Sequence, residues 1–280
     1  MVLIADSGST KTEWCLLSNG SILGKCITKG INPFYQSSTD ILQSLREEYT
    51  LNNTKPQAIH FYGAGCANEE KNNIVHNALL EFFGEMPINI NSDLMAAAHS
   101  LCQNNEGIAC ILGTGSNSCH YDGQNIINNV SPLGFIIGDE GSGAVLGKKL
   151  IADILKKQLP LAAIELFFSK YNTTPAEILD NIYKKPFPNR YLAQYTKFIS
   201  ENIAIPELES LVIVSFKEFI ERNLLQYNNI EQLEIHFTGS IAFHFTKQLR
   251  KALASYKLNL GSVNQAPMEG LIQYHNELKH

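Results

Sequence analysis

The sequence predicts an α/β fold in which one structural pattern occurs twice. The first copy begins with an apolar strand at Val2–Ala5, a polar turn at Asp6–Thr12, a second strand and the hairpin signal Asn19-Gly20. The second copy begins with a strand at Ile108–Leu112, a turn of small residues, another strand and the hairpin signal Asp122-Gly123. Amphipathic spacing after each copy predicts flanking helices. The repeated order indicates a duplicated architecture of two α/β halves.

The first half continues as alternating helices and strands, each justified by its periodicity or by a short apolar run. The predicted elements after the opening strands are, in order, helix Thr39–Tyr49, strand Ala58–Gly63, helix Lys71–Phe83, strand Pro87–Ile90 and helix Leu94–Cys102. The polar stretch Asn104–Gly107 then breaks the pattern and predicts a domain boundary. We expect an N-terminal domain at 1–106.

The second half has a long helical region, Leu161–Tyr227, which four prolines divide into segments. The predicted elements that follow are strand Leu233–Phe237, helix Ile241–Ser255, an edge strand at Lys257–Leu260 and a last helix at Pro267–Leu278. We therefore expect a C-terminal domain at 107–262. Residues 263–280 would form a terminal helix.

The bulk composition excludes several classes of protein. A net charge of -5 over 280 residues, with no block of Lys or Arg, argues against a nucleic-acid partner. No apolar run approaches about 18 residues, so no membrane span is expected. Six cysteines without a CxxC pair predict buried, reduced thiols rather than a zinc site. Because no signal peptide precedes the first strand, we expect a cytoplasmic protein.

The turn Asp6–Thr12 has the composition of a phosphate and magnesium site. Gly8 would let the backbone approach phosphate oxygens, and the neighbouring N–H and hydroxyl groups would donate to them. Asp6, at the end of the strand, would hold Mg²⁺ through water, since magnesium dehydrates reluctantly. The alternative is a polar hairpin turn with no ligand.

Two further turns follow strands in the second half. Gly113–Ser118 combines a Gly-x-Gly turn with hydroxyls, and Thr238-Gly239-Ser240 joins a strand to a helix whose N-terminus could meet a nucleotide. Neither is a dinucleotide-binding fingerprint, and no P-loop pattern occurs in the chain. Ordinary turns and a capped helix remain the alternative for each.

Two acidic positions stand directly before helices. Asp139 lies in the glycine-rich run Gly138–Ser142, and Asp93 follows a short strand. Each carboxylate could be a helix N-cap. Alternatively, Asp93 could face a sugar hydroxyl as a general base. The glycines around Asp139 indicate a close approach of another group, because surplus glycine destabilises a helix start.

The order of these motifs resembles a known family. The chain runs DSGSTKT, GAG, SD before a helix, GTGSNS, GDEGSG and FTGSIA between Ile4 and about Leu271. This is similar to the N-acetylglucosamine kinase-like branch of the acetate kinase, sugar kinase, heat-shock ATPase and actin superfamily, and to the BadF/BadG/BcrA/BcrD ATPases. The resemblance implies a two-domain, actin-like (ribonuclease H-like) ATPase fold. Each domain would be a mixed sheet with flanking helices, and the nucleotide would lie in the interdomain cleft. The terminal helix after Pro267 would pack back on the N-terminal domain.

The resemblance also implies a role for each matching residue. An amino-sugar kinase using ATP and Mg²⁺ is implied, with Asp93 as its catalytic base, Asp6 and Asp139 at the metal, and a homodimer as the common assembly. The nucleotide-binding residues would be Asp6, Gly8, Ser9, Thr10, Lys11, Thr12, Gly113, Thr114, Gly115, Ser116, Gly239 and Ser240. The sugar-binding residues would be Asn32, Gly65, Asp93, Thr114, Gly134 and Asp139.

One departure from the family leaves the substrate open. Leu133 stands where the sugar kinases have tryptophan, so N-acetylglucosamine, glucosamine and N-acetylmuramic acid all fit the pattern, with the 6-hydroxyl as acceptor by analogy. One rival function is a BadF-type ATPase that activates a protein partner through an iron–sulfur cluster, but the cysteines form no recognisable cluster motif. The second rival function is a sugar-sensing regulator. Such regulators carry a DNA-binding segment, and the first motif here begins at residue 6, which leaves no room for one before it.

Overall fold

The computed structural model describes residues 1–8, 10–51 and 55–277. The chain forms two compact units. The first unit contains Met1–Asn105 together with the C-terminal segment that begins at Ala266, and the second contains Glu106–Gln265. No helix in the described ranges is long and apolar enough to cross a membrane.

The first unit is built on a five-stranded mixed sheet. Its strands are β1 (Val2–Ser7), β2 (Lys11–Ser18), β3 (Ser21–Lys29), β4 (Ala58–Gly63) and β5 (Ile88–Ser92). The order is β3-β2-β1-β4-β5, in which β1, β4 and β5 are parallel and β2 is antiparallel to both β1 and β3. The helices are α1 (Ser38–Glu48), α2 (Glu69–Phe83), α3 (Asp93–Cys102) and the last helix of the chain, α12 (Met268–Glu277).

Successive side chains of β1 point to opposite faces of the sheet, so β1 contributes to a separate core on each face. Leu3 and Ala5 face one core, which contains Trp14 and apolar residues of α1 and α2. Ile4 faces the other, which Ala96 of α3 and Leu271 of α12 complete. The first sheet is therefore covered by helices on both faces.

The second unit has its own five-stranded mixed sheet. Its strands are β6 (Glu106–Leu112), β7 (Ser116–Asp122), β8 (Ile126–Asn129), β9 (Glu234–Thr238) and β10 (Asn259–Asn264). Its helices are α4 (Gly143–Leu155), α5 (Leu161–Tyr171), α6 (Pro175–Tyr183), α7 (Pro188–Ala193), α8 (Thr196–Glu201), α9 (Pro206–Arg222), α10 (Ser240–His244) and α11 (Thr246–Ser255). One large apolar core joins β6 and β9 to these helices.

The two sheets have the same topology. In the second the order is β10-β9-β6-β7-β8, so β6 is central, β7 and β8 are antiparallel neighbours on one side, and β9 and β10 are parallel neighbours on the other. β1 occupies the same central place in the first sheet. The predicted duplication of a mixed sheet with flanking helices is confirmed.

Several predicted boundaries differ from the structure. The helix predicted at Ile241–Ser255 is two helices, because Phe245 leaves helical geometry (φ −108°) between α10 and α11. The predicted edge strand at Lys257–Leu260 begins two residues later and continues to Asn264. The predicted end of the last helix, Leu278, lies outside the described residues.

Candidate active site

The predicted site residues of the first unit lie at one edge of its sheet. Because β1, β4 and β5 are parallel, Asp6, Gly65 and Asp93 belong to the segments at their carboxyl ends. β3 is antiparallel to β2 and so runs in the same direction as β1; it ends at the same edge and leads to Asn32. Ligands of open α/β sheets bind outside the carboxyl ends of the strands.

The predicted phosphate loop connects the antiparallel strands β1 and β2. Gly8 N–H donates to the Lys11 carbonyl at 3.0 Å, and the Thr10 carbonyl accepts from Gly30 N–H at 3.0 Å. Ser9, predicted to bind nucleotide, lies outside the described residues. Lys11 and Thr12, at the end of the heptad, already belong to β2, and the nucleotide role of Lys11 stays a prediction.

The Thr12 hydroxyl stabilises the fold. Thr12 is buried, its Oγ1 lies 2.7 Å from Ser7 Oγ, and it donates to the Lys29 carbonyl at 3.1 Å. Ser7 Oγ in turn accepts from Ile31 N–H at 2.9 Å. These bonds hold the end of β3 against the hairpin. A nucleotide role for Thr12 stays a prediction.

Asp6 and Asp93 form a pair of interacting carboxylates. Burial raises the pKa of Asp6 to about 7, with further increases from the negative charges of Asp93 and Glu13 and a smaller opposing effect of Lys11. Burial also raises the pKa of Asp93, although N–H groups of Leu94 and of Asp93 itself partly oppose this. Carboxyl groups with raised pKa values at a strand edge are typical of functional sites.

Asp93 is not the N-cap of α3, so that alternative is wrong. Ser92 is the N-cap, and its Oγ accepts from Met95 N–H at 3.2 Å, which leaves Asp93 as the first residue of the helix. A serine before the aspartate is a recognised capping signal that could have identified this arrangement. The Asp93 carboxylate is thus not needed to cap the helix.

Asn32 and Gly65 lie against each other at this edge. Gly65 has a left-handed backbone (φ +85°), and a Cβ atom there would overlap Asn32 Oδ1. Asn32 is further held by Gln36, whose Oε1 accepts from Asn32 N–H at 2.7 Å. The glycine therefore leaves room for the asparagine side chain, which is fixed at the edge.

The predicted turns of the second unit also gather at one sheet edge. The Gly113 and Thr114 carbonyls accept from Gly143 and Ala144 at the start of α4, at 2.8 and 3.0 Å. These two helix N–H groups are consequently engaged by the turn. Gly239 follows β9 with φ +113°, and a Cβ there would overlap the Leu112 carbonyl. Ser240 begins α10 beside it.

Asp139 lies against the Gly113–Ser116 turn. Its Oδ1 accepts from Ser116 N–H at 3.2 Å, and its Oδ2 would lie 3.1 Å from a Cβ atom at Gly115. Burial raises the pKa of Asp139, and this is partly opposed by the Ser116 hydrogen bond. Gly134, with φ +75°, accepts from Gly138 N–H at 2.7 Å in the same loop.

Neither acidic residue of the GDEGSG motif caps the following helix. Ser142 is the N-cap of α4, with its Oγ accepting from Val145 N–H at 3.2 Å. Glu140 instead forms an ion pair with Arg222 and accepts from Asn223. Those two partners lie more than 80 positions away in the sequence, and no local pattern indicated them.

The donor set is compatible with magnesium. Among the residues that the structure describes, no group of three or more His, Cys, Asp or Glu side chains could hold a metal ion. Magnesium needs fewer, because it usually binds one or two carboxylates, waters and substrate phosphates. A cation would also offset the effect of the Asp93 charge on the buried Asp6 carboxylate. These carboxylates therefore fit the ion.

A close structural match covers the whole chain. A candidate N-acetylglucosamine kinase from Porphyromonas gingivalis is 47% identical to this chain, covers 100% of both chains and superposes with a TM-score of 0.97. No protein-family model matches the chain, and no curated protein matches it.

More distant structures share the fold. A ROK family glucokinase from Streptomyces griseus, in complex with glucose and AMPPNP, is 15% identical over 99% of this chain and 98% of its own, with a TM-score of 0.59. An MreB protein of Spiroplasma citri, bound to AMPPNP, is 10% identical over 99% of this chain and 94% of its own, with a TM-score of 0.55. The fold expected from the motif order is therefore confirmed.

Proposed function

Because the chain belongs to the N-acetylglucosamine kinase-like family of actin-like ATPases, we propose that it is a sugar kinase that uses ATP to phosphorylate a hydroxyl of N-acetylglucosamine or a related amino sugar. The observation that carries the proposal is the carboxylate pair Asp6 and Asp93 at the sheet edge that also holds Asn32 and Gly65. One carboxylate is suited to the phosphate side of the reaction and the other to the acceptor side.

Asp93 is the proposed general base. It stands at the first position of α3, is not occupied in capping the helix, and has a pKa raised by burial. A carboxylate poised in this way accepts the proton of the attacking hydroxyl more readily than one fully stabilised by water. Such help contributes about 10²–10⁴-fold to turnover.

Asp6 is the proposed residue for magnesium on the phosphate side. Bound Mg²⁺ would neutralise charge on the phosphate oxygens during transfer. The chain itself holds Asp6 at the end of β1 and fixes the adjacent turn through the Gly8 to Lys11 hydrogen bond. Phosphoryl transfer requires mainly positioning and charge stabilisation, which a carboxylate held at the end of a strand can supply.

The remaining roles are proposed by correspondence with the family. In the first unit, Asn32 and Gly65 would contact the sugar. In the second, Thr114, Gly134 and Asp139 would do so, and the turns at Gly113–Ser116 and Gly239-Ser240 would bind nucleotide. The hydrogen bond from Ser116 to Asp139 supports the pairing of these two groups of residues within the second unit.

ADP release tests the proposal directly. Purified protein with magnesium and ATP should release ADP strongly in the presence of one amino sugar from a panel that includes N-acetylglucosamine, glucosamine, N-acetylmuramic acid and glucose. Mass spectrometry should then find the phosphorylated sugar. ATP turnover that is indifferent to every sugar would overturn the kinase and favour an ATPase that serves a protein partner.

Asp93→Asn tests the assigned base. Turnover should fall by about 10²–10⁴-fold, while nucleotide affinity stays within about twofold. Asp40→Asn is the matched control, because Asp40 also stands in the first turn of a helix in the same unit and completes a capping box there. That control should lower stability only slightly, by weakening the capping box, and leave turnover intact. Near-normal turnover of Asp93→Asn would remove Asp93 from the role.

A further inference from the structure

The segment between β8 and α4, residues 130–142, is an irregular loop that contains Asp139; we refer to it as the Asp139 loop. Its backbone is left-handed at Asp139 (φ +54°) and at Gly141 (φ +74°). A left-handed backbone is unfavourable for a residue with a Cβ atom, so contacts around Asp139 must keep it there.

Some of the contacts that keep Asp139 in this conformation come from the Asp139 loop itself and from α4. Asp139 N–H donates to the Pro132 carbonyl at 2.8 Å, and the Asp139 carbonyl accepts from Ser142 N–H at 3.1 Å. Lys148 of α4 also donates to the Phe135 carbonyl at 2.7 Å. The bond between Ser142 N–H and the Asp139 carbonyl closes a turn around Glu140 and Gly141, and the other partners of these two residues lie outside the loop.

Helix α9 holds those residues. Glu140 forms an ion pair with Nε of Arg222, the last residue of α9, and its other carboxylate oxygen accepts from Asn223 Nδ2 at 3.4 Å. Gly141 N–H donates to the buried Ser215 Oγ, on the same helix, at 3.3 Å. Two consecutive residues after Asp139 are therefore attached to one helix.

The Glu140 side chain is only 13% exposed, whereas that of Arg222 is 61% exposed. A carboxylate that is largely withdrawn from water depends on its charged partner. Without the guanidinium, Glu140 should turn toward solvent, which would weaken the hydrogen bond between Ser142 N–H and the Asp139 carbonyl that closes the turn after Asp139. The Asp139 carboxylate would then leave Ser116 N–H.

We propose that Arg222 is a positioning residue for Asp139, acting through Glu140. This inference rests on the proposed function, in which Asp139 binds the sugar. Arg222 itself would not touch the substrate. It fixes the backbone that follows Asp139, so that the carboxylate stays at 3.2 Å from Ser116 N–H in the geometry that binding requires.

Arg222→Met removes the guanidinium and keeps an apolar stem. We expect kcat/KM for the sugar to fall by about 10–100-fold, mainly through a higher sugar KM, because a displacement of about 1 Å can cost that much. The KM for ATP should change less than twofold. The matched control is Lys149→Met, which breaks the 2.6 Å ion pair between Lys149 of α4 and Glu218 of the same helix α9. It should leave sugar kcat/KM within twofold.

Two further variants separate positioning from general stability. Arg222→Lys should recover at least part of the lost sugar kcat/KM, because it restores the charge beside Glu140. Glu140→Gln combined with Arg222→Met should be no worse than the more impaired single variant, since both residues act through one contact. Thermal unfolding of each variant should match that of Lys149→Met within a few degrees.

The outcomes are distinguishable. If wild-type protein shows no sugar-dependent ADP release, the proposed function fails and this inference fails with it. If the wild type is a sugar kinase but Arg222→Met behaves like Lys149→Met, only the positioning role of Arg222 is overturned. Equal increases in the KM values for sugar and ATP would also overturn it, because they would indicate a general loss of structure.

Discussion

At the scale of single residues, Gly65 shows how a backbone position supports a side chain elsewhere. Its left-handed backbone and the absence of a Cβ atom allow Asn32 Oδ1 to lie directly beside it. Gly65→Ala should therefore push Asn32 from its place and raise the sugar KM by at least about tenfold. The strained backbone should in addition cost about 1–2 kcal/mol of stability. Initial-rate kinetics and urea unfolding measure the two effects.

Gly20→Ala is the control for backbone strain alone. Gly20 has a similar φ of +80°, but a Cβ atom there would meet nothing within 4 Å. The free energy of unfolding of Gly20→Ala should fall by about as much as that of Gly65→Ala, while its sugar KM stays unchanged. An equal rise of KM in both variants would contradict the contact between Gly65 and Asn32 as the cause.

The sequence was sufficient to nominate residues whose chemistry is local. Asp6 lies at the end of β1, Gly65 and Asp93 follow β4 and β5, and the parallel strands bring these segments to one edge. It was not sufficient for residues whose partners are distant. Thr12 is buried against Lys29, and Glu140 is paired with Arg222, because the tertiary fold brings together segments that no local spacing relates.

At the scale of elements, α12 is attached to the first unit by a cluster of aromatic and histidine side chains. Tyr62 OH lies 2.9 Å from His99 Nδ1 and 3.0 Å from His275 Nε2, and it can donate to only one of them. The rings of His60 and His275 are 4.1 Å apart, and Tyr274 stacks on His99 at 3.9 Å. Uncharged histidines suit such close packing.

Acid should therefore weaken the attachment of α12. Burial lowers the pKa of His99 from 6.5 to about 4, and the charge of His60 contributes; burial also lowers the pKa of His60. Below about pH 6.5 these histidines bind protons in the unfolded chain but not in the folded cluster. The free energy of unfolding should therefore fall as the pH decreases from 6.5 toward 4. The loss assigned to His99 is about 3 kcal/mol. Urea unfolding between pH 7.5 and 4.5 measures it.

The variant His99→Asn keeps a polar atom near Tyr62 but cannot take up a proton in this range. Its free energy of unfolding should depend less steeply on pH than that of the wild type. Amides of α12 should lose hydrogen-exchange protection at acidic pH before those of α2, which serve as the internal reference. Equal pH dependence of the variant and the wild type would exclude His99 as the cause.

Most elements could be predicted because periodicity and turn residues agree along the chain. The break at Phe245 could not, since an apolar residue inside a regular amphipathic pattern gives no stop signal. The strand β8 was implied only by the hairpin signal Asp122-Gly123, because Ile126–Asn129 is too short and polar to be recognised by alternation.

At the scale of the whole molecule, the same sheet order occurs in both units although their sequences differ. The repeated motif order indicated this duplication, since each copy begins with the strand that becomes central. The sequence did not indicate on which face of the first sheet the last helix packs. That depends on Met268 and Leu271, whose surroundings come from β1, β2, β4 and α3.

This assignment of α12 to the first unit predicts where a core mutation acts. Leu271 is fully buried in the core with Ile4 and Ala96, so Leu271→Ala should destabilise the first unit by about 2–5 kcal/mol. The matched variant Leu253→Ala removes an equally buried leucine from α11 in the second unit. Hydrogen exchange should show lost protection in β1, β2 and β4 for the first variant and in β6 and β9 for the second. Loss of protection in the same strands for both would mean that the two units unfold as one.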